Sequence, residues 1–177
     1  RRNANSPAVW QRLTAGESFY DSLQLAPNRR YANGFRAQIS YTLARSIDDS
    51  SGINSQDFDN NVQYVLDWYD RTYDRGPSAF AVRHNLTFNW TWDMWWGLQL
   101  NNMTTFMSGT PFTVRLGFNR SGNLNTTNFS LNERPNLKPG CDPILGGPER
   151  YWDVNSFELP AANTRGSLGR NSLSGPG

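Results

Sequence analysis

The sequence predicts an all-β chain whose long antiparallel strands form part of the wall of a transmembrane β-barrel. Three observations predict it. First, residues 81–93 alternate: Val82, Leu86, Phe88, Trp90 and Trp92 share one parity, and Arg83, Asn85, Thr87, Asn89, Thr91 and Asp93 share the other. Side chains of a strand point to opposite faces with period two, so one face is oily and the other wholly polar. Second, residues 34–46 carry the cleanest alternation after that run. At ~3.3 Å per residue and a tilt of ~40° that run covers roughly 33 Å of membrane normal, against a hydrocarbon core of ~30 Å. Soluble sandwich strands are usually ~5–6 residues long. Third, the loop lengths run short, long, short, long, as in barrels with short inner turns and long outer loops.

The elements follow in order. Residues 1–16 are polar and aperiodic. A first strand over about 18–27 places Phe19, Leu23 and Leu25 on one face, with Asp21 as the exception. Pro27-Asn28 ends it, and residues 28–32 read as a turn. A second strand over 33–47 sets Phe35, Ala37, Ile39, Tyr41 and Leu43 against Arg36, Gln38, Ser40, Thr42 and Ala44. Residues 47–80 form a long Asp-rich loop with a short helix placed at 61–69. A third strand, 81–93, and a fourth, 96–111, make a hairpin. In the fourth, Asn102 and Thr104 share the parity of Leu98, Leu100 and Phe106. Either a bulge near Asn101-Asn102 resets the register or two polar residues face oil. Residues 113–177 are loop-like and hold most of the prolines.

Trp90, Trp92, Trp95 and Trp96 band the turn of that hairpin. Tryptophan gathers where one end of the ring is in oil and the other in water, so these four are the expected membrane-interface aromatics. A sugar-stacking platform and a soluble core are the alternatives for them.

Bulk properties bound the function. The chain has 177 residues, read as one domain spanning 1–177, with a net charge of +2. That charge is too small and too scattered to argue for nucleic acid. Cys141 is the only cysteine, so no internal disulfide forms. Mean hydropathy is −0.68, a soluble value, but barrel strands dilute their apolar residues with polar ones. The first residue is not Met and no charged-then-apolar leader follows, so either a signal was removed or the chain is part of something longer. Four strands cannot close a barrel, whose smallest bacterial form has about eight, and open edges in lipid are not viable. The expectation is a fragment with further strands on both sides.

Catalytic and metal chemistry find little support. His84 is the only histidine, and no Gly-x-Ser-x-Gly elbow is present. His84 and Cys141 are too few ligands for zinc. Asp57-Phe58-Asp59 starts like a calcium loop, but Val62 and Trp68 occupy the positions that need Gly and Glu. Adjacent Asp48 and Asp49 point apart on a strand end, unlike a glycosidase pair. The expectation is no enzyme, no catalytic residue, no metal and no cofactor.

Several motifs resemble one family. They are Asn33-Gly34-Phe35 leading into residues 40–49 (SYTLARSIDD), then residues 75–84 (RGPSAFAVRH), Ser108-Gly109-Thr110-Pro111-Phe112, Arg134-Pro135-Asn136 and residues 169–177 (GRNSLSGPG). Their order resembles the C-terminal half of Oar-like TonB-dependent outer-membrane receptors. The family usually has Asp before Val-Arg-His where this chain has Ala81. The resemblance implies a barrel of about 22 strands, an N-terminal plug, a motif engaged by TonB, and a bacterial outer-membrane location. It implies uptake of a scarce, unidentified ligand, with outer-membrane lipid, the plug and TonB as partners.

On that reading the residues expected to meet ligand or plug are Arg36, Gln38, Arg83, Asn85, Asn89 and Gln99 on the lumen face, and Trp68, Tyr69 and Trp152 in the loops. The alternatives are a secreted, soluble β-sandwich that binds glycans and a structural or adhesion barrel without transport.

Overall fold

The computed structural model describes residues 14–50, 70–122 and 133–177. The alternating runs become strands: β1 (Ser18–Leu25), β2 (Asn28–Ala32), β3 (Phe35–Asp48), β4 (Gly76–Pro77), β5 (His84–Asp93) and β6 (Gln99–Met107). They make one antiparallel sheet in the order β1-β3-β5-β6, with β2 and β4 also pairing β3. Four two-residue strands, β7 (Pro111–Phe112), β8 (Asn136–Leu137), β9 (Phe157–Glu158) and β10 (Leu173–Ser174), pair as β10-β7 and β8-β9. Among the described residues the sheet does not close on itself.

Two expectations are corrected and one open alternative, the register of the fourth strand, is decided. Residues 28–32 are strand, not turn. Asn28 pairs with Gln38 in the register that joins Leu25 to Tyr41, so β1 and β2 are one strand interrupted at Pro27. Pro27 still accepts a bond from Ile39 N at 3.0 Å, but it has no N–H to return. The turn lies at Asn33-Gly34, both with positive φ (53° and 75°), the two-residue geometry that matches strand twist. The third strand begins at His84 and the fourth spans only Gln99–Met107, since a 3-10 turn at Trp95–Gly97 and a break after Met107 bound it. There is no bulge in β6: its register with β5 runs unbroken from Asn85↔Met107 to Asp93↔Gln99. Asn102 and Thr104 therefore share the apolar face, where Thr104 Oγ1 donates to Asn102 Oδ1 at 2.8 Å. The helix expected at 61–69 lies outside the described residues.

Burial is inverted relative to a soluble domain. Phe19, Leu23, Leu25 and Phe106 on the apolar face are all more than half exposed. The buried set is mostly polar: Ser46, Asp48, Asp74, Ser78, Glu133, Arg134, Arg170 and Asn171. A continuous exposed apolar face is a surface awaiting an apolar environment.

The two short turns sit side by side, with Asp93 N donating to Gly34 O at 2.7 Å. A Cβ at Gly34 would lie 3.0 Å from Asp93 O, whereas one at Gly97, with a φ of 77°, meets nothing within 4 Å. Both alanine variants carry the cost of a left-handed backbone, of order 1 kcal/mol. Gly34→Ala should lose more than Gly97→Ala, read as the lower temperature at which the folded gel band of the full-length protein is lost. Equal losses would show that Asp93 yields freely.

Candidate functional site

The polar face of the sheet carries rows of side chains set by the strand register. From the short-turn end these rows are Arg36–Thr91–Asn101, Gln38–Asn89–Met103, Ser40–Thr87–Thr105 and Thr42–Asn85–Met107. Neighbours bond where they reach. Thr91 Oγ1 donates to Asn101 Oδ1 at 2.8 Å, and Gln99 Nε2 to Asp93 Oδ1 at 2.6 Å. The Tyr31 hydroxyl donates to Asp93 Oδ2.

Two hollows lie along this ladder. A groove of about 460 Å³ is lined by Arg36, Gln38, Asn89, Thr91 and Asn101 among others. A wider cleft of about 1190 Å³ at the opposite end takes in Ser22, Ala44, Ser46, Arg83, Ser108 and Tyr151. The amide oxygens of Asn85 and Asn89 are buried and accept no hydrogen bond. Buried acceptors of this kind are uncommon and mark places where a donor is wanted.

Of the residues expected to meet ligand, the structure brings Arg36, Gln38 and Asn89 into one groove. Asn85 stands two rows further along, beside Thr42. Arg83 lines the wider cleft instead. Gln99 is taken up by Asp93. Trp152 packs edge-to-face on Phe112 and Tyr151, with ring centroids 5.2 Å and 5.0 Å away. Trp68 and Tyr69 lie outside the described residues, as do Asp57 and Asp59. Trp92, Trp95 and Trp96 are exposed at the turn end, Trp96 at 94%. Trp90 lies two residues from Trp92 on the same face. Among the described residues no three His, Cys, Asp or Glu side chains gather as metal ligands.

Sequence reasoning missed the buried hub at the far end of the sheet. Arg170 Nη2 donates to the Asp48 carbonyl at 2.6 Å and to its carboxylate, and Arg170 Nε donates to Asp74 O at 2.6 Å. Arg134 Nη2 donates to Tyr73 O at 2.8 Å and to Asp74 Oδ1 at 3.2 Å, with its guanidinium 3.9 Å from the Tyr73 ring centroid. Asn171 Nδ2 donates to Pro77 O at 2.8 Å. Charges buried this deeply survive only when paired and hydrogen-bonded. Burial, and then the Arg134 charge, hold the Arg115 guanidinium below its ordinary pKa. Close approach of backbones requires glycine here: a Cβ at Gly76, Gly109 or Gly166 would collide with the backbone oxygen of Arg170, Gly175 or Arg134. The short motifs at 75–78, 108–112, 134–136 and 169–177 thus meet in one place. Their arginines and glycines were the available signal.

A protein-family model described as an outer membrane beta barrel domain matches residues 1–177. No curated protein and no solved structure matches the chain.

Proposed function

Since the chain belongs to the outer membrane beta barrel domain family and lies in the bacterial outer membrane, we propose that it is a wall and outer-loop segment of an Oar-like, TonB-dependent active transporter. The apolar face meets lipid and the polar face lines the lumen. Four strands then belong to a larger barrel of about 22, whose plug and TonB-binding motif lie elsewhere in the receptor. Ligand is captured from outside by the loops, passes the polar ladder, and is released inward when TonB displaces the plug. The segment itself carries no catalytic residue in this reading.

The observation that supports transport over a passive wall is the polar face itself. It presents two hollows, an exposed cation at Arg36 and two buried amide oxygens without donors. A lumen wall that offers a cation and amide oxygens beside hollows gives a passing polar solute partners, which a wall serving only as a scaffold does not need. The experiment is capture of the full-length receptor, folded in detergent, by the purified periplasmic domain of TonB. Binding that is lost when the receptor's upstream TonB-contacting segment is deleted is the expected result. A folded receptor that never binds TonB would leave the adhesion barrel as the better reading.

A further inference from the structure

The groove on the polar face has a definite chemistry. Arg36 is exposed and forms no ion pair among the described residues. The carboxylates of that face are committed elsewhere: Asp93 accepts from Tyr31 and Gln99, and Asp48 from Arg170. Among the residues lining the groove Arg36 is the one that carries a charge, on a fork that suits a planar oxyanion, while Asp93, its other diagonal neighbour, keeps its charge outside that lining. Diagonally across from Arg36 stands Asn89, whose Oδ1 is buried and accepts nothing. The spacing of diagonal cross-strand neighbours on one face is roughly 7 Å. Thr91 and Asn101 between them already satisfy each other. An anion alone fills half of this site, because an oxyanion offers no proton to Asn89. A neutral polyol fills the other half and leaves Arg36 bare.

We infer that this groove is a binding subsite for a small acid that carries a hydroxyl or N–H donor a few ångströms from its oxyanion. Arg36 holds the anion, Asn89 accepts from the donor, and Gln38 and the Trp90 side of the groove bound it. The inference deepens the transporter reading and rests on it, since it names the ligand class that the lumen wall favours.

The test is calorimetric titration of the full-length receptor in detergent with three probes. Galacturonate has both anion and hydroxyls, galactose only hydroxyls, and acetate only the anion. Galacturonate should bind at least about tenfold tighter than either of the others, for one added hydrogen-bonded contact that is charge-assisted relative to galactose and neutral relative to acetate. Galactose 6-phosphate in its place tells a phosphate from a carboxylate preference. Arg36→Gln should bring galacturonate down to the level of galactose, Arg36→Lys should retain part of the difference, and Asn89→Leu should bring it toward acetate. Phe106→Leu, on the apolar face and outside both hollows, should change nothing. Each variant is first shown to be folded by its heat-modifiable gel band. Equal binding of galactose and galacturonate would overturn the inference. So would a folded Arg36→Gln that keeps full affinity, or a receptor that binds none of the probes at millimolar concentration. Galacturonate binding without TonB binding would overturn the transporter and keep the subsite, and the converse would overturn the subsite alone.

Discussion

Arg170→Met is expected to cost about 3–5 kcal/mol, the range for removing one partner of a buried ion pair. Arg170 joins the last residue of β3, the 3-10 turn at Arg71–Asp74 and its own returning segment, through Asp48 and the Asp74 carbonyl. Methionine fills the volume but leaves the 3%-exposed Asp48 carboxylate without that guanidinium. The loss should be local first. The four long strands keep their ladder, and residues 165–177 become accessible to protease at temperatures where the folded gel band persists. Arg170→Lys keeps the charge but has no fork to span two partners, so it should fall between. Asp48→Asn combined with Arg170→Met should cost less than the sum of the two, because each removes the other's reason for burial. A loss under about 1 kcal/mol for Arg170→Met, the range of exposed pairs, would show that water reaches the hub.

Phe88→Arg should cost about 2–4 kcal/mol in the full-length protein folded into lipid. Phe88 faces the apolar side between Ile39 and Thr104. It stands five residues from the turn, or ~13 Å along the normal, close to the bilayer midplane. Thr87 lies at nearly the same depth on the other face, beside Ser40 and Thr105. Thr87→Arg should therefore cost far less. Phe88→Leu separates lipid from a packed core. Lipid takes any shape and leaves the variant nearly neutral, whereas a protein core repacks at a cost of order 1 kcal/mol or more. Unfolding by Thr87→Arg but not by Phe88→Arg would invert the two faces.

What the sequence shows well is whatever is local. The fourteen residues of β3 and the ten of β5 announce themselves because period two is written in neighbouring side chains. Pro27 misleads because a proline costs only one ladder bond there, and the strand resumes in register at Asn28. The pair that makes the turn, Asn33-Gly34, is visible in sequence, but Pro27-Asn28 offers a rival a few residues earlier. The β6 register was open because Asn102 and Thr104 read as faults on an apolar face, and only their mutual hydrogen bond makes them tolerable there. The groove was partly legible, since Arg36, Gln38 and Asn89 follow from parity alone. The hub was not. Its bonds join residues 60 to 122 apart, and no periodicity reaches that far.

That separation sets an order of events during folding. Closing a contact across 122 residues costs a bare chain about 2–3 kcal/mol more entropy than closing a loop of about six. The hairpin turns at 33–34 and 94–98 close small loops, so the meander forms early and shortens the path that Arg170 must find. The hub then acts as a late latch. A nascent barrel can hold its strands while residues 165–177 are still unfastened, so protection of that segment from protease is expected to lag behind formation of the sheet.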